Sequence, residues 1–156
     1  MLRYLFAFLS VCLSLYARTL EQKSVQLMAA TVERNASVVE AVGDVVVYYG
    51  DTILTADRAR YDTNRSILEL FGNVELIKDM KYGVLSDYVT IDLKQEHDFF
   101  EKIFLVDFAS ELWLRGERGE REEEILQLKD ALVSSCDVAC PDWHIGFTSM
   151  AYNRKS

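Results

Sequence analysis

The sequence has a single proline, seven glycines, two histidines and three cysteines among its 156 residues. So little proline and glycine argues against a low-complexity or linker chain, and the length is that of one domain. Acidic residues outnumber basic ones by 25 to 17, which gives a net charge of −8. Because such a surface repels phosphate backbones, nucleic acid is not expected as a partner.

The sequence also lacks the short motifs that accompany common catalytic chemistry. It contains no glycine-rich phosphate loop, no His-Glu-x-x-His pair and no Gly-x-Ser-x-Gly turn. Its two histidines, His97 and His144, lie in unrelated segments. We therefore predict no catalytic residue, no cofactor and no metal, and expect a protein that is not an enzyme.

The N-terminus carries the longest apolar segment, and no later run approaches membrane-spanning length. It contains Arg3, an apolar run from Tyr4 to Tyr16, and then Ala17. This order is typical of a secretory signal peptide, so we predict that residues 1–17 are removed on export and that residues 18–156 form the mature domain. A buried helix or a membrane anchor is the alternative, but a bilayer span needs about 20 apolar residues.

A repeat organises the middle of the chain. Residues 39–47 match residues 68–76 at an offset of 29 (68 minus 39), and residues 56–62 match residues 86–92 at an offset of 30 (86 minus 56). Residues 27–32 resemble a degenerate earlier copy, and beyond residue 92 the repeat fades. Recurrence at such a period indicates one supersecondary unit used several times.

Within each unit apolar residues alternate with polar ones, which predicts β-strands. Gly43 and Gly72 fall in mid-strand, where a glycine indicates a bend, a bulge or a close backbone approach. Asp57 and Asp87 occupy equivalent repeat positions, which favours a structural role over catalysis. Strands are also predicted at residues 99–108, 125–134 and 143–152, and solvated turns at residues 49–51, 62–65, 81–83 and 116–124. Short strands separated by turns are typical of a β-sandwich, barrel or roll.

Two cysteines remain if Cys12 leaves with the signal peptide. Cys136 and Cys140 would then lie in an oxidising compartment, where disulfide chemistry is favoured. The alternatives are free thiols, or a metal site that also includes His144. Pro141 prevents a continuous helix through this segment, and only three ligands are available. We predict a Cys136–Cys140 disulfide or disulfide-linked dimers.

Two segments together resemble a known family. The first is the tandem unit, in which Gly-Asp/Asn-Val is followed by Ala/Ser-Asp and a second Asp. This unit resembles the OstA-like domain of lipopolysaccharide transport proteins. The second segment, residues 134–145, resembles the end of the periplasmic domain of the LptD family of outer-membrane lipopolysaccharide-assembly proteins; its sequence is Ser-Ser-Cys-Asp-Val-Ala-Cys-Pro-Asp-Trp-His-Ile. The resemblance covers about residues 27–152, although Ala30 stands where the family has an aspartate. LptD proteins continue into a transmembrane β-barrel, so this chain is expected to correspond to their N-terminal part.

The resemblance implies an all-β, antiparallel β-jellyroll in the periplasm, associated with the outer membrane in the full-length family. The implied partners are lipopolysaccharide, the OstA-like domain of a periplasmic bridge protein through edge-strand pairing, and the outer-membrane β-barrel with its plug lipoprotein. The apolar interior would shield the acyl chains of lipopolysaccharide. By alternation, its expected lining is Val39, Ala41, Val45, Val47, Leu68, Leu70, Val74, Leu76, Val89 and Ile91.

Three other functions stay open at this point. The chain could be a free-standing periplasmic bridge protein of the LptA type, which shares the repeat. It could be a structural β-roll that mediates assembly without binding lipid, which an interior filled by large side chains would favour. A thiol-active protein that uses Cys136 and Cys140 is the third, although the sequence has no Cys-x-x-Cys motif.

Overall fold

The computed structural model describes residues 24–153, which form one curled antiparallel sheet of ten strands. The predicted signal peptide lies outside these residues. Within them no helix is long and apolar enough to cross a membrane. The strands are β1 (Val25–Met28), β2 (Thr31–Asn35), β3 (Val38–Tyr49), β4 (Thr52–Asp62), β5 (Ile67–Lys78), β6 (Tyr82–Asp92), β7 (His97–Asp107), β8 (Leu112–Glu122), β9 (Ile125–Ser134) and β10 (Ile145–Asn153).

The strands follow one another across the sheet as a meander. From β3 to β10 each strand pairs antiparallel with the next, while β1 and β2 pair with different parts of β3. Strands β1 and β10 end the order and do not pair with each other, so the sheet curls without closing into a barrel. The all-β, antiparallel class predicted from the sequence is confirmed.

The curled sheet encloses one continuous apolar core. Alternate residues of each long strand point inward, as in β3, where Ala41, Val45 and Val47 are fully buried and Glu40 is exposed. Period-two alternation places every second side chain on the same face. The inward face of β3 to β9 therefore forms a single cluster, onto which Met150 and Tyr152 of β10 pack.

Bulges interrupt the ladders at the two predicted glycines. At Gly43 and Asp44, β3 has one residue more than β4, and at Gly72 and Asn73, β5 has one residue more than β6. All four residues have positive φ, which glycine adopts without strain and which Asp and Asn tolerate better than most residues. The bulges predicted at Gly43 and Gly72 are confirmed.

The structural repeat continues beyond residue 92, where the sequence repeat fades. Lys102 on β7 and Asp130 on β9 have the same left-handed backbone as Asp44 on β3 and Asn73 on β5. The four positions are separated by 29, 29 and 28 residues (73 minus 44, 102 minus 73 and 130 minus 102). A left-handed residue therefore recurs on alternate strands after the sequence has diverged, although no register shift accompanies it at Lys102 or Asp130.

Aspartates stabilise both the bulges and the turns. Asp57 accepts a 2.9 Å hydrogen bond from Asn73 Nδ2, and Asp87 forms a 2.8 Å ion pair with Lys102. At the hairpin ends, the Oδ1 atoms of three further aspartates accept hydrogen bonds from the backbone N–H groups two and three residues later; they are Asp62, Asp92 and Asp107. Short aspartate side chains commonly close turns in this way.

The turn predicted at residues 116–124 is wrong. Residues up to Glu122 belong to β8, which pairs with both β7 and β9. Gly116 and Gly119 point inward, while Glu117, Arg118 and Glu120 face solvent. A Cβ atom at Gly119 would lie 3.3 Å from Ile103 Cδ1, so larger neighbours fill the space that the glycine leaves. The segment from Gly116 to Glu122 is therefore a strand: most of its charged side chains face solvent, and its two glycines face the core.

Candidate functional site

The residues predicted to line the groove lie on the inner side of the sheet. Nine of the ten belong to the buried apolar cluster, and Val39 is half-buried. Most of them pack against one another as ordinary core. Leu76 and Ile91 also face an internal cavity. That this interior holds an acyl chain remains a prediction.

The cavity has a volume of about 220 Å³ and forms where two opposite ends of the curled sheet meet. One side comes from the β3–β4 and β5–β6 ends, the other from the β6–β7 and β8–β9 ends. Its apolar surface consists of Leu54, Leu76, Val84, Ile91, Leu93, Phe100, Ile103, Leu105 and Leu126. Apart from Leu76 and Ile91 these residues were not predicted, although the same alternation on β4, β6, β7 and β9 indicates most of them.

A buried ion pair stands among these apolar side chains. Asp98 on β7 and Arg121 on β8 are direct cross-strand partners. Asp98 Oδ2 accepts a 2.5 Å hydrogen bond from Arg121 Nε and forms an ion pair with Nη2 at 2.5 Å, and Asp98 is only 3% exposed. Arg121 Nη1 donates to the carbonyl oxygen of Glu123. Every guanidinium nitrogen of Arg121 therefore has a partner.

Burial and charge oppose each other at Arg121. Burial by itself lowers the pKa of the Arg121 guanidinium, but the hydrogen bond and charge of Asp98 outweigh burial and raise the pKa above its ordinary value. Burial also raises the pKa of Tyr49 across the cavity, and the carboxylates of Glu96 and Asp98 raise it further. The Arg121 guanidinium therefore stays charged inside the cavity, and the Tyr49 phenol across from it stays neutral.

The charges around the cavity are predominantly negative. Six carboxylates line it against two cations, a net charge of −4 (two minus six); they are Asp51, Asp92, Glu96, Asp98, Glu123 and Glu124, against Lys78 and Arg121. An excess of negative charge sets the local electrostatic potential and favours cationic over anionic ligands. The cavity therefore has an apolar wall and an acidic surround.

The cysteine segment forms the connection between β9 and β10. Ser134 is fully buried, its Oγ donates to the carbonyl oxygen of Trp143, and the N–H of Cys136 donates to Ser134 Oγ. Trp113 Nε1 also donates to the carbonyl oxygen of Cys136. Cys136 is half-buried and Cys140 is exposed, and no disulfide joins them in this structure. The disulfide therefore remains a prediction. Among residues 24–153 no group of three or more His, Cys, Asp or Glu side chains is arranged to hold a metal.

Both ends of the sheet expose strand edges. All five residues of β2 are exposed, as are most residues of β10, which pairs only with β9 in the described part of the chain. Ile145 and Phe147 of β10 are 52% and 37% exposed. An exposed, apolar edge strand is a template for pairing with a further strand.

Comparison with known proteins identifies a similar fold. No family model matches the sequence, and no curated protein matches it. Among solved structures, the chain is similar to the crystal structure of LptH from Pseudomonas aeruginosa, described as the LptA-homologous periplasmic component of the conserved lipopolysaccharide transport device. The match covers 65% of this chain and 77% of that chain, with a TM-score of 0.57 and 16% sequence identity. At this identity the similarity shows the fold, a β-jellyroll of the LptA type, as the sequence predicts.

Proposed function

We propose that this protein is a periplasmic module that shields the acyl chains of lipopolysaccharide in its interior and passes them toward the outer membrane. The observation that carries the proposal is the cavity with an apolar wall inside an open β-jellyroll, a fold shared with a protein described as part of a lipopolysaccharide transport device. Burial of each methylene group is worth about 0.8 kcal/mol. An acyl chain in the interior therefore needs no chemical step to be retained.

The cavity also bears on the structural alternative. A β-roll that served only as an assembly adaptor would gain stability from a completely filled interior, because proteins pack their cores densely. The space between Leu54, Val84 and Phe100 is unfilled by protein atoms. It therefore supports lipid binding over a purely structural role.

We further propose that the chain corresponds to the N-terminal domain of an LptD-type protein. Support comes from the resemblance of residues 134–145, a segment that the hydrogen bonds of Ser134 and Trp113 hold against the end of the sheet. A free-standing bridge protein of the LptA type is equally compatible with the fold. The two proposals differ in whether a β-barrel sequence follows this segment in its gene.

The exposed edge strands of the sheet support a route by which lipid would pass between two domains. Strands β1, β2 and β10 are free to pair with the edge of another OstA-like domain, which would join two interiors into one groove. In the LptD proposal the further partners are the outer-membrane β-barrel and its plug lipoprotein. Residues 1–17 would then direct export, and the site of action would be the periplasm.

Site-specific photo-crosslinking in cells that assemble lipopolysaccharide tests the function. A photoreactive group at Leu76 or Ile91, which line the cavity, should capture lipopolysaccharide. The same group at Glu40 or Glu75 on the solvent-facing side should not. Equal capture at both pairs of positions, or capture at neither, would contradict the proposal.

A further inference from the structure

One oxygen atom in the cavity wall has no partner. Asp98 Oδ2 holds both contacts with Arg121, the hydrogen bond from Nε and the ion pair with Nη2, whereas Asp98 Oδ1 is buried and accepts no hydrogen bond from the described residues. Buried carboxylate oxygens in folded proteins nearly always accept a hydrogen bond. Asp98 is one of the residues that line the cavity, so a donor group bound there is a candidate partner for Oδ1.

We propose that Asp98 is a recognition residue, which accepts a hydrogen bond from a hydroxyl group carried by the alkyl chain bound in the cavity. The inference rests on the proposed function in one respect, that the interior receives an alkyl chain. It adds that the site distinguishes chains that can donate a hydrogen bond at this depth from those that cannot. A site built to pair with a hydroxyl disfavours analogues that lack it, because its own polar group stays unpaired.

The charges favour a neutral donor over an anion. Asp98 and Arg121 neutralise each other, so a hydroxyl group completes the pair without adding charge. The other charged groups that line the cavity are five carboxylates and one cation, Lys78, and the excess of negative charge repels a phosphate or carboxylate at this position. The same excess attracts an alkylammonium whether or not Asp98 accepts a hydrogen bond, so the test uses an uncharged pair of probes.

Matched ligands test the inference on the unaltered protein. The probes are 1-decanol and 1-methoxydecane, which differ in that a methyl group replaces the hydroxyl hydrogen. Measured by displacement of a fluorescent fatty-chain reporter, 1-decanol should bind about tenfold more tightly, the value of one hydrogen bond. Decanoate should bind more weakly than 1-decanol. Equal affinities for the alcohol and the ether would overturn the inference.

A variant of Asp98 tests whether this residue causes the preference for the alcohol over the ether. In Asp98→Asn the amide oxygen faces the Arg121 donors, so the amide NH₂ group replaces Oδ1 and can donate to either probe. The preference for the alcohol should then disappear. The control is Asp87→Asn, which removes a carboxylate from an exposed ion pair on the outer face and should leave the preference unchanged. If Asp98→Asn does not fold, the comparison of the two probes on the unaltered protein still decides.

The failure of this inference differs from the failure of the proposed function. If both probes bind equally and cavity positions still capture lipopolysaccharide, the role of Asp98 is wrong and the function stands. If neither probe binds and no cavity position captures lipopolysaccharide, both the inference and the function are wrong.

Discussion

At the scale of single residues, Asp98 differs from the aspartates that stabilise the turns. Those at hairpin ends accept backbone N–H groups and are explained by the turns that they close. Asp98 closes no turn, is buried and keeps one oxygen unpaired. The sequence alone predicts the structural role of Asp57 and Asp87 from their recurrence. It does not distinguish Asp98, because the partner Arg121 lies in a segment whose composition indicates a turn.

Asp107 and Tyr152 give a pH-dependent contribution to stability. The Tyr152 hydroxyl donates to Asp107 Oδ2, and this hydrogen bond is the main cause that lowers the pKa of Asp107 below its ordinary value of 3.8. A carboxyl whose pKa is lower in the folded state stabilises the fold above its unfolded pKa, and the contribution disappears as the pH falls through the folded pKa. The interaction should therefore be complete at neutral pH and lost under strongly acidic conditions.

Tyr152→Phe tests this interaction. The variant keeps the ring that packs on the core and removes only the hydroxyl, so it should lower the free energy of unfolding by about 1 kcal/mol at neutral pH. The difference from the unaltered protein should shrink as the pH falls below 3.8. Urea denaturation across this range measures it, with the exposed Tyr48→Phe as control. A difference that does not change with pH would show that the hydroxyl acts in another way.

At the scale of strands, the alternation of apolar and polar residues predicts the strand boundaries well, except in segments where small or charged residues obscure the pattern. The boundaries predicted for β9, residues 125–134, agree with the structure, and β7 and β10 are displaced by no more than two residues. Strand β8 was missed because Gly116 and Gly119 take inward positions that large residues occupy elsewhere. The physical reason is a neighbouring side chain, Ile103, which the local sequence does not contain.

Strand β10 gives a prediction about assembly. Natural sheets use charged side chains to prevent edge strands from pairing, and Phe147 on this edge is apolar and exposed. We expect the protein to associate with further copies at high concentration and Phe147→Lys to weaken that association at least tenfold. Sedimentation velocity measures both.

The control for β10 is Leu85→Lys on β6. This residue is 51% exposed, but its strand pairs on both sides, so a charge there should leave association unchanged. Equal weakening by both variants would indicate a general charge effect. A protein that stays monomeric at all concentrations would contradict pairing between copies through this edge.

At the scale of the whole molecule, the site depends on how the sheet coils. The cavity joins the ends of early strands to the opposite ends of later ones, so residues such as Leu54 and Leu126 meet although no local pattern relates them. The sequence predicts most of the strands and the inward faces of β3, β5 and β6. It does not predict the cavity, since the position of the space follows from twist and bulges accumulated over several hairpins.

Adjacent residues on β6 allow a matched test of the cavity. Val84 lines the cavity, whereas its neighbour Leu85 points to solvent. A bound ligand stabilises the folded state, by about 2.7 kcal/mol at a hundred times its dissociation constant. Val84→Phe places a ring in the cavity and should abolish the rise in Tm on adding lipopolysaccharide, while Leu85→Phe should retain it. Scanning calorimetry of both variants with and without lipopolysaccharide measures this, and an undiminished rise in Val84→Phe would contradict binding in the cavity.

The left-handed residues at Asp44, Asn73, Lys102 and Asp130 have a consequence for size. They recur once per hairpin along a meander in which, over the described residues, each strand from β3 onward pairs with the next. Because this order contains no crossover between β3 and β10, one hairpin more or one fewer would leave the pairing of the other strands unaltered. Duplication of a single hairpin in the gene would therefore lengthen the sheet at constant topology.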